Sequence, residues 1–372
     1  MSAADSAPAG APGAASTGSG SLVLGIESSC DETGASVVRD GRAVLANAVA
    51  SQHDLHAKFG GVVPEIASRA HIERILPIID AALEAAGVWL DRVDAVAVGH
   101  RPGLIGSLLV GVAAAKTLAW SLGKPLVGVD HVRAHLYAAA LDDEPIDYPA
   151  LGLVVSGGHS NLYAMNGPLD MRLLGRTIDD AVGEAYDKVA AICNLGFPGG
   201  PVVDRRAQQG DPASINFPRT MLGRDSLDFS FSGLKTAVLY HVRGKPRGRG
   251  GDASFERDAA DLDDQQINDI CAAFQAAVID VLLAKIERAI EQLGGQRGAV
   301  RSLVIGGGVS ANSGLREHVH RFARSHGLAV RVPAMKYCLD NAAMIAGLAH
   351  HQLHAGQTAD LDLEAIATTE LR

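Results

Sequence analysis

Leu151-Gly152-Leu153-Val154-Val155 runs into Ser156-Gly157-Gly158-His159-Ser160, and then into an apolar segment from Asn161 to Met165. A short apolar run that stops at a glycine turn and resumes reads as two strands joined by that turn. The first ordered part of the chain has the same pattern. Leu22 to Glu27 is apolar enough for a buried strand, Ser28 to Gly34 is a polar turn, and Ala35 to Val38 and Val44 to Val49 supply two more strands. Two such units, each followed by helices, predict related α/β halves facing one another across a cleft. The paired glycines would let backbone approach a ligand, and Ser156 and Ser160 add hydroxyls.

The composition agrees with helices packed on buried strands: 47% of the 372 residues are hydrophobic and only 4% aromatic. A net charge of −9 excludes a globally basic nucleic-acid binder, so such binding would need a local patch or a partner. Cys30, Cys193, Cys271 and Cys338 form no Cys-x-x-Cys pair and read as free thiols of a reducing cytoplasm. No apolar run is read as spanning a membrane. Residues 1–20, rich in Ala, Ser, Gly and Pro, read as a disordered tail rather than a secretory signal.

Between the two units, residues 64–86 predict a helix with Ile66, Ile72, Ile75, Leu76, Ile79 and Leu83 on one face. Pro77 should kink or split it, and Gly87 should end it. His53, His56 and His71 nearby read as surface or core histidines. A strand over 93–99, a small-residue helix over 104–122 and a strand at Leu126 follow. Then comes His131-Val132-Arg133-Ala134-His135. Histidines at i and i+4 share a helix face, spacing suited to one metal ion or to a plain polar face.

After the second unit, Thr177-Ile178-Asp179-Asp180 is read as the capped start of a helix carrying Glu184, Asp187 and Lys188. Phe197 to Pro201 reads as a rigid turn leading to Asp204. Acidic groups beside glycine turns can accept from ribose hydroxyls, or can simply cap helices and pair with surface cations. Residues 244–261 read as a mobile surface insertion, and 265–293 as a long helix. A strand at Ser302 to Ile305, then Gly306-Gly307-Gly308 and a helix start near Asn312, make a nucleotide-binding arrangement. Neither dinucleotide nor P-loop spacing is present. Asp340, just ahead of a helix, is either its N-cap or a third metal ligand.

Taken in order, GIESSCDET, HVRAH, VSGGHS, TIDDAVGEAYDKVA, FPGGP, FSFSGLKT, GGGVSAN and YCLDNAAMIA resemble the tRNA adenosine threonylcarbamoyltransferases of the TsaD type, once labelled O-sialoglycoprotein endopeptidases. The match runs from about Leu22 to Ala349. It implies a two-lobed α/β fold of the actin–Hsp70–sugar-kinase type. The expected layout is a first lobe over 21–128, a second over 129–339, a C-terminal helix (340–356) packed back on the first lobe, and an extension over 357–372. The resemblance also implies transfer of a threonylcarbamoyl group from threonylcarbamoyl-AMP, made by a separate synthase, to the adenosine 3′ of the tRNA anticodon. One divalent ion, Fe2+ or Zn2+, would be held by His131, His135 and Asp340. Val154, Val155, Ser156, Gly157, Gly158, Asp187, Gly200, Asp204 and Asn312 match the positions that hold the donor. Glu32 and Lys188 are candidates for electrostatic or acid–base roles. Implied partners are tRNA, a shorter paralogous subunit of the TsaB type and a P-loop ATPase of the TsaE type, in the cytoplasm without membrane association. Arg133 stands where many members have Glu, which puts a contact made by that Glu in question and leaves the ligands in place.

Three other readings are weaker. A zincin metallopeptidase needs Glu directly after the first His, and Val132 stands there. A sugar kinase has no use for the two histidines. A degenerate, non-catalytic ATP-binding scaffold would have lost them.

Overall fold

The computed structural model describes residues 20–142, 144–247, 255–294 and 299–368. The expected tail, apart from Gly20, and the centre of the expected insertion (248–254) lie outside these residues. The first half contains β1 (Leu22–Glu27), β2 (Glu32–Arg39), β3 (Ala43–Ser51), α1 (His53–Ala57), α2 (Pro64–Ala86), β4 (Ala95–Arg101), α3 (Ile105–Leu122), β5 (Leu126–Asp130) and α4 (His131–Tyr137). The second contains β6 (Ala150–Val155), β7 (Ser160–Met165), β8 (Met171–Arg176), α5 (Val182–Ile192), α6 (Gly199–Ala207), α7 (Ser232–Arg243), α8 (Asp264–Gln292), β9 (Ser302–Gly306), α9 (Ser313–His326) and β10 (Ala329–Arg331). The final helix, α10 (Ala342–His354), returns to the first sheet.

The sheets are ordered β3-β2-β1-β4-β5 and β10-β9-β6-β7-β8. In each, the strand–turn–strand unit is antiparallel and the two later strands join parallel to its first strand. Counted within its own half, each sheet has the order 3-2-1-4-5. The duplicated α/β fold expected from the two apolar units is therefore present. Buried strands need apolar side chains on both faces, and β1 and β6 are buried along their whole length.

The halves share a core in which Val23, Val127 and Val129 of the first sheet meet Val154 and Val304 of the second through α4 and α10. Close approach puts α10 there. A Cβ on Gly25 of β1 would lie 2.4 Å from the carbonyl of Ala342.

Several expected details differ. Helix α2 is continuous through Pro77. That residue lies on the exposed face, where water can reach the carbonyl freed by the missing N–H. Only one strip of α2 meets the sheet: Ile75, Ile79 and Leu83 are buried, whereas Ile72 is 65% and Leu76 61% exposed. Phe197 to Pro201 is not a turn throughout, because Gly199, Gly200 and Pro201 form the first turn of α6. Thr177 to Asp180 precede α5, whose N-cap position is Ala181. Helices α3 and α8 are long and apolar enough to cross a membrane, contrary to the reading of the sequence. Most of α8 is nonetheless buried within the protein, and α3 packs on β4 and α2.

The corrected face of α2 is testable by urea denaturation. Ile75→Ala should cost about 2–4 kcal/mol through a cavity. Ile72→Ala should cost less than about 0.5 kcal/mol.

Candidate functional site

Strand β5 ends at Asp130, whose carboxylate accepts from the backbone N–H groups of Val132 and Arg133. That N-cap fixes the start of α4 where the strand stops. The helix is buried along nearly its whole length, so His131 and His135 project into the protein rather than into water. The other wall is β9. A Cβ on Gly306 would lie 2.2 Å from the carbonyl of His135, so only glycine lets β9 lie against α4 at this point. A Cβ on Gly307, at φ +91, would lie 2.5 Å from the carbonyl of Val155. Two of the three consecutive glycines thus serve close packing.

Asp340 comes from the turn before α10. Asn341 caps that helix by accepting from the Met344 N–H, which leaves Asp340 free to face the histidines. Its Oδ1 lies 3.4 Å from Nε2 of His131 and 3.1 Å from Nε2 of His135. Ligand atoms of the three residues all lie within 4.8 Å of one another.

The electrostatics favour the ligand forms of Asp340 and His135, whereas His131 must give up a proton to bind a metal. Burial opposes ionisation of Asp340, but His131 and His135 outweigh it and hold the carboxyl well below its usual range. Burial keeps His135 below the ordinary histidine value; its Nε2 faces Asp340, and its buried Nδ1 makes no hydrogen bond among the described residues. Burial also opposes charge on His131. The carboxylates of Glu27 and Asp340 reverse this and hold it well above the ordinary value. Two buried imidazoles whose Nε2 atoms converge on one carboxylate fit a divalent transition metal.

Glu27 was hidden in the sequence as the polar end of an apolar strand. Its Oε2 lies 2.9 Å from Nδ1 of His131, and Ser29 Oγ lies 3.2 Å from the same nitrogen. Holding Nδ1 turns Nε2 toward Asp340, the support that metal-binding histidines commonly receive. His159 was also passed over. Burial presses its pKa down to about 4, and His131 and His135 add to the effect, so a neutral imidazole borders the group.

The expected donor-binding residues fall into two sets. Val154 and Val155 end β6, and Ser156 to Gly158 form the turn beyond. No atom lies within 4 Å of a Cβ placed on Gly157 or Gly158, so that backbone is open to a ligand. Asp187 accepts from the Gly199 N–H at 2.7 Å and so holds the first turn of α6, which also carries Gly200. Asp204 accepts from the Ser313 N–H, the Ser313 hydroxyl and Gln275 Nε2. Asn312 donates to Gln275 Oε1 at 2.6 Å, so Gln275 of α8, missed in the sequence, joins the two.

The two acid–base candidates separate. Lys188 is bound by Asp180 at 2.7 Å and Glu184 at 2.8 Å, and these pairs raise its pKa further. Asp179, next in the chain, accepts from Ser230 and Ser232, tying TIDD to FSFSG rather than capping α5. Glu32 starts β2 near Asp340. Burial, with help from Asp340 and Asp31, pushes it up to about 8 against the opposing effect of His53. Of the three histidines near α1 and α2, His56 and His71 are buried among hydrogen-bond partners, whereas His53 faces Glu32. Arg133 lies half-buried between the two ligands in sequence.

The model of the family described as TsaD, tRNA N6-adenosine threonylcarbamoyltransferase, matches residues 43–347. The chain belongs to this family. A tRNA N6-adenosine threonylcarbamoyltransferase of Trichlorobacter lovleyi is 50% identical over 350 residues, covering 94% of this chain and 97% of its own. One from Symbiobacterium thermophilum is 51% identical over 345 residues, covering 93% and 95%. The structure of T. kodakarensis HypF matches the fold with a TM-score of 0.57 at 14% identity, over 92% of this chain and 49% of that one. Family membership makes the chain a tRNA-modifying transferase.

Two substitutions test how the family site is supported. Glu27→Gln should weaken divalent-ion binding about 10–100-fold, read by competition with a chromophoric chelator. Gly306→Ala should destabilise the fold by about 1–3 kcal/mol through overpacking, read by thermal or urea denaturation.

Proposed function

We propose that the protein transfers the threonylcarbamoyl group of threonylcarbamoyl-AMP to the exocyclic amine of the adenosine 3′ of the anticodon (position 37), in tRNAs that read codons beginning with A. The observation that carries this reading is the His131–His135–Asp340 group beside the open Ser156–Gly158 turn, where the ends of both sheets meet. Ligands of α/β sheets bind outside the carboxyl ends of strands, and the site lies there.

When bound to these three residues, a divalent ion (Fe2+ or Zn2+) would supply Lewis acidity toward an oxygen of the donor. The chain's own groups do the rest. The open backbone of Gly157 and Gly158, at the end of the Val154 to Gly158 segment, approaches the donor's phosphate, and Asp187, Gly200, Asp204 and Asn312 form the wall for its nucleoside. Glu27 keeps His131 in register. Glu32 and Lys188 act electrostatically, Glu32 directly at the cleft and Lys188 through Asp180. In the reaction the adenosine nitrogen forms a bond to the carbamoyl carbon, the bond from that carbon to the phosphate oxygen breaks, a proton leaves the amine, and AMP departs.

The acidic chain favours shared binding of tRNA with partners: a paralogous subunit of the TsaB type and an ATPase of the TsaE type, with a separate synthase making the donor in the cytoplasm. Exposed Ile72 and Leu76 on α2 and Ile105 and Leu109 on α3 support a protein partner, since α2 and α3 pack side by side. The missing general base after His131 argues against a peptidase, and the intact three-residue group argues against a scaffold.

The test is threonylcarbamoyladenosine formation on tRNA by the purified chain with these partners, threonine, bicarbonate, ATP and the synthase. Product should form with the wild type and fall at least about a hundredfold in His131→Ala, His135→Ala, within the range for loss of an electrostatic catalyst. Accumulated donor without product from the wild type would overturn the reading. Equal product from both proteins would remove the metal from it.

A further inference from the structure

The turn between β1 and β2 carries a second set of ligand atoms. Asp31 and Glu32 are buried at its end, and His53, the first residue of α1, folds over them. His53 Nε2 lies 3.4 Å from Glu32 Oε1 and 3.8 Å from Asp31 Oδ2, and the three ligand atoms lie within 4.8 Å of one another. These separations are long for a charge-assisted hydrogen bond, which closes to about 2.7–2.9 Å. Two atoms each about 2.1 Å from one ion lie about 3.0–3.4 Å apart at ordinary coordination angles, a range that the His53–Glu32 separation meets and the His53–Asp31 separation exceeds. The His131–Asp340 separation, 3.4 Å, is the same as that of His53 and Glu32.

Charge points the same way. Among the ion pairs of the described residues, His53 is the partner of both carboxylates. The charge of Asp31 is felt both by Glu32 and by Asp187 of the opposite half. The ring of His53 meets the edge of Phe197 from the second half, with centroids 6.4 Å apart, so the cluster sits where the halves touch. On the transferase reading this cleft must admit an anionic adenylate, which a cation held by Asp31 and Glu32 would help to attract.

We propose that Asp31, Glu32 and His53 form a second divalent-cation site, for a hard ion of the Mg2+ or Mn2+ class, beside the group of His131, His135 and Asp340. The two carboxylates suit such an ion, and the imidazole favours Mn2+ over Mg2+. Its purpose rests on the transferase reading, but the site itself stands on the residues alone.

The full chain, loaded with one equivalent of Zn2+, would be titrated with Mn2+, with free Mn2+ followed by electron paramagnetic resonance. One Mn2+ should bind per chain in addition to Zn2+. Glu32→Gln and, separately, His53→Ala should weaken Mn2+ binding at least about tenfold while retaining Zn2+. The half-exposed His53 guards against misfolding of the buried variant, and a melting curve accompanies each. His131→Ala, His135→Ala should lose Zn2+ and keep Mn2+. A wild type that binds no Mn2+ beyond its Zn2+, or unchanged Mn2+ binding in both cluster variants, overturns the proposal. The count needs neither tRNA nor donor, so its failure leaves the transferase reading intact, and failed transfer with Mn2+ bound overturns only that reading.

Discussion

Helix α4 is wedged between two sheets by a contact that no side chain would permit. Its N-terminus continues β5 of the first sheet, and the carbonyl of His135 lies against Gly306 of the second. The direction of both histidines, and the way β6 and β9 present their ends to them, depend on that approach. Protein interiors are packed too densely to absorb an added methyl at such a point without moving a whole element. The short helix therefore both joins the halves and aims the site.

The fold was legible where burial alone dictates composition. Strands covered on both faces must be apolar, and β1 and β6 announced themselves and their repetition. Gly87 marked the end of α2 because a left-handed backbone is needed there, at φ +63. The i, i+4 histidines were legible because a helix turn is a local fact.

Contacts between residues distant in sequence were less legible. Glu27 meets His131 over 104 residues, and Asp179 meets Ser230 over 51. Local reading made the first an unremarked strand end and the second a helix cap. Asp340 could be read as a cap or as a ligand, and the structure gives the cap to its neighbour Asn341. The apolar face of α2 was read too broadly because side chains spaced three and four apart span more of a helix than the sheet covers. His53 was set aside because no spacing links it to Glu32; the fold of the β2–β3 hairpin does.

The packing of α10 on β1 also orders events in time. Gly25 waits for the backbone of Ala342, which leaves the ribosome more than three hundred residues later. Until then the inner face of the first sheet lacks the helix that packs on all five of its strands, although those strands are already made. Chains generally fold in the order of their synthesis, and an uncovered apolar sheet is the species most prone to wrong association. Completion of the first half is thereby deferred until Asp340 arrives with the helix that seals it, so a nascent chain cannot close its earliest sheet without also bringing the last member of its histidine–carboxylate group.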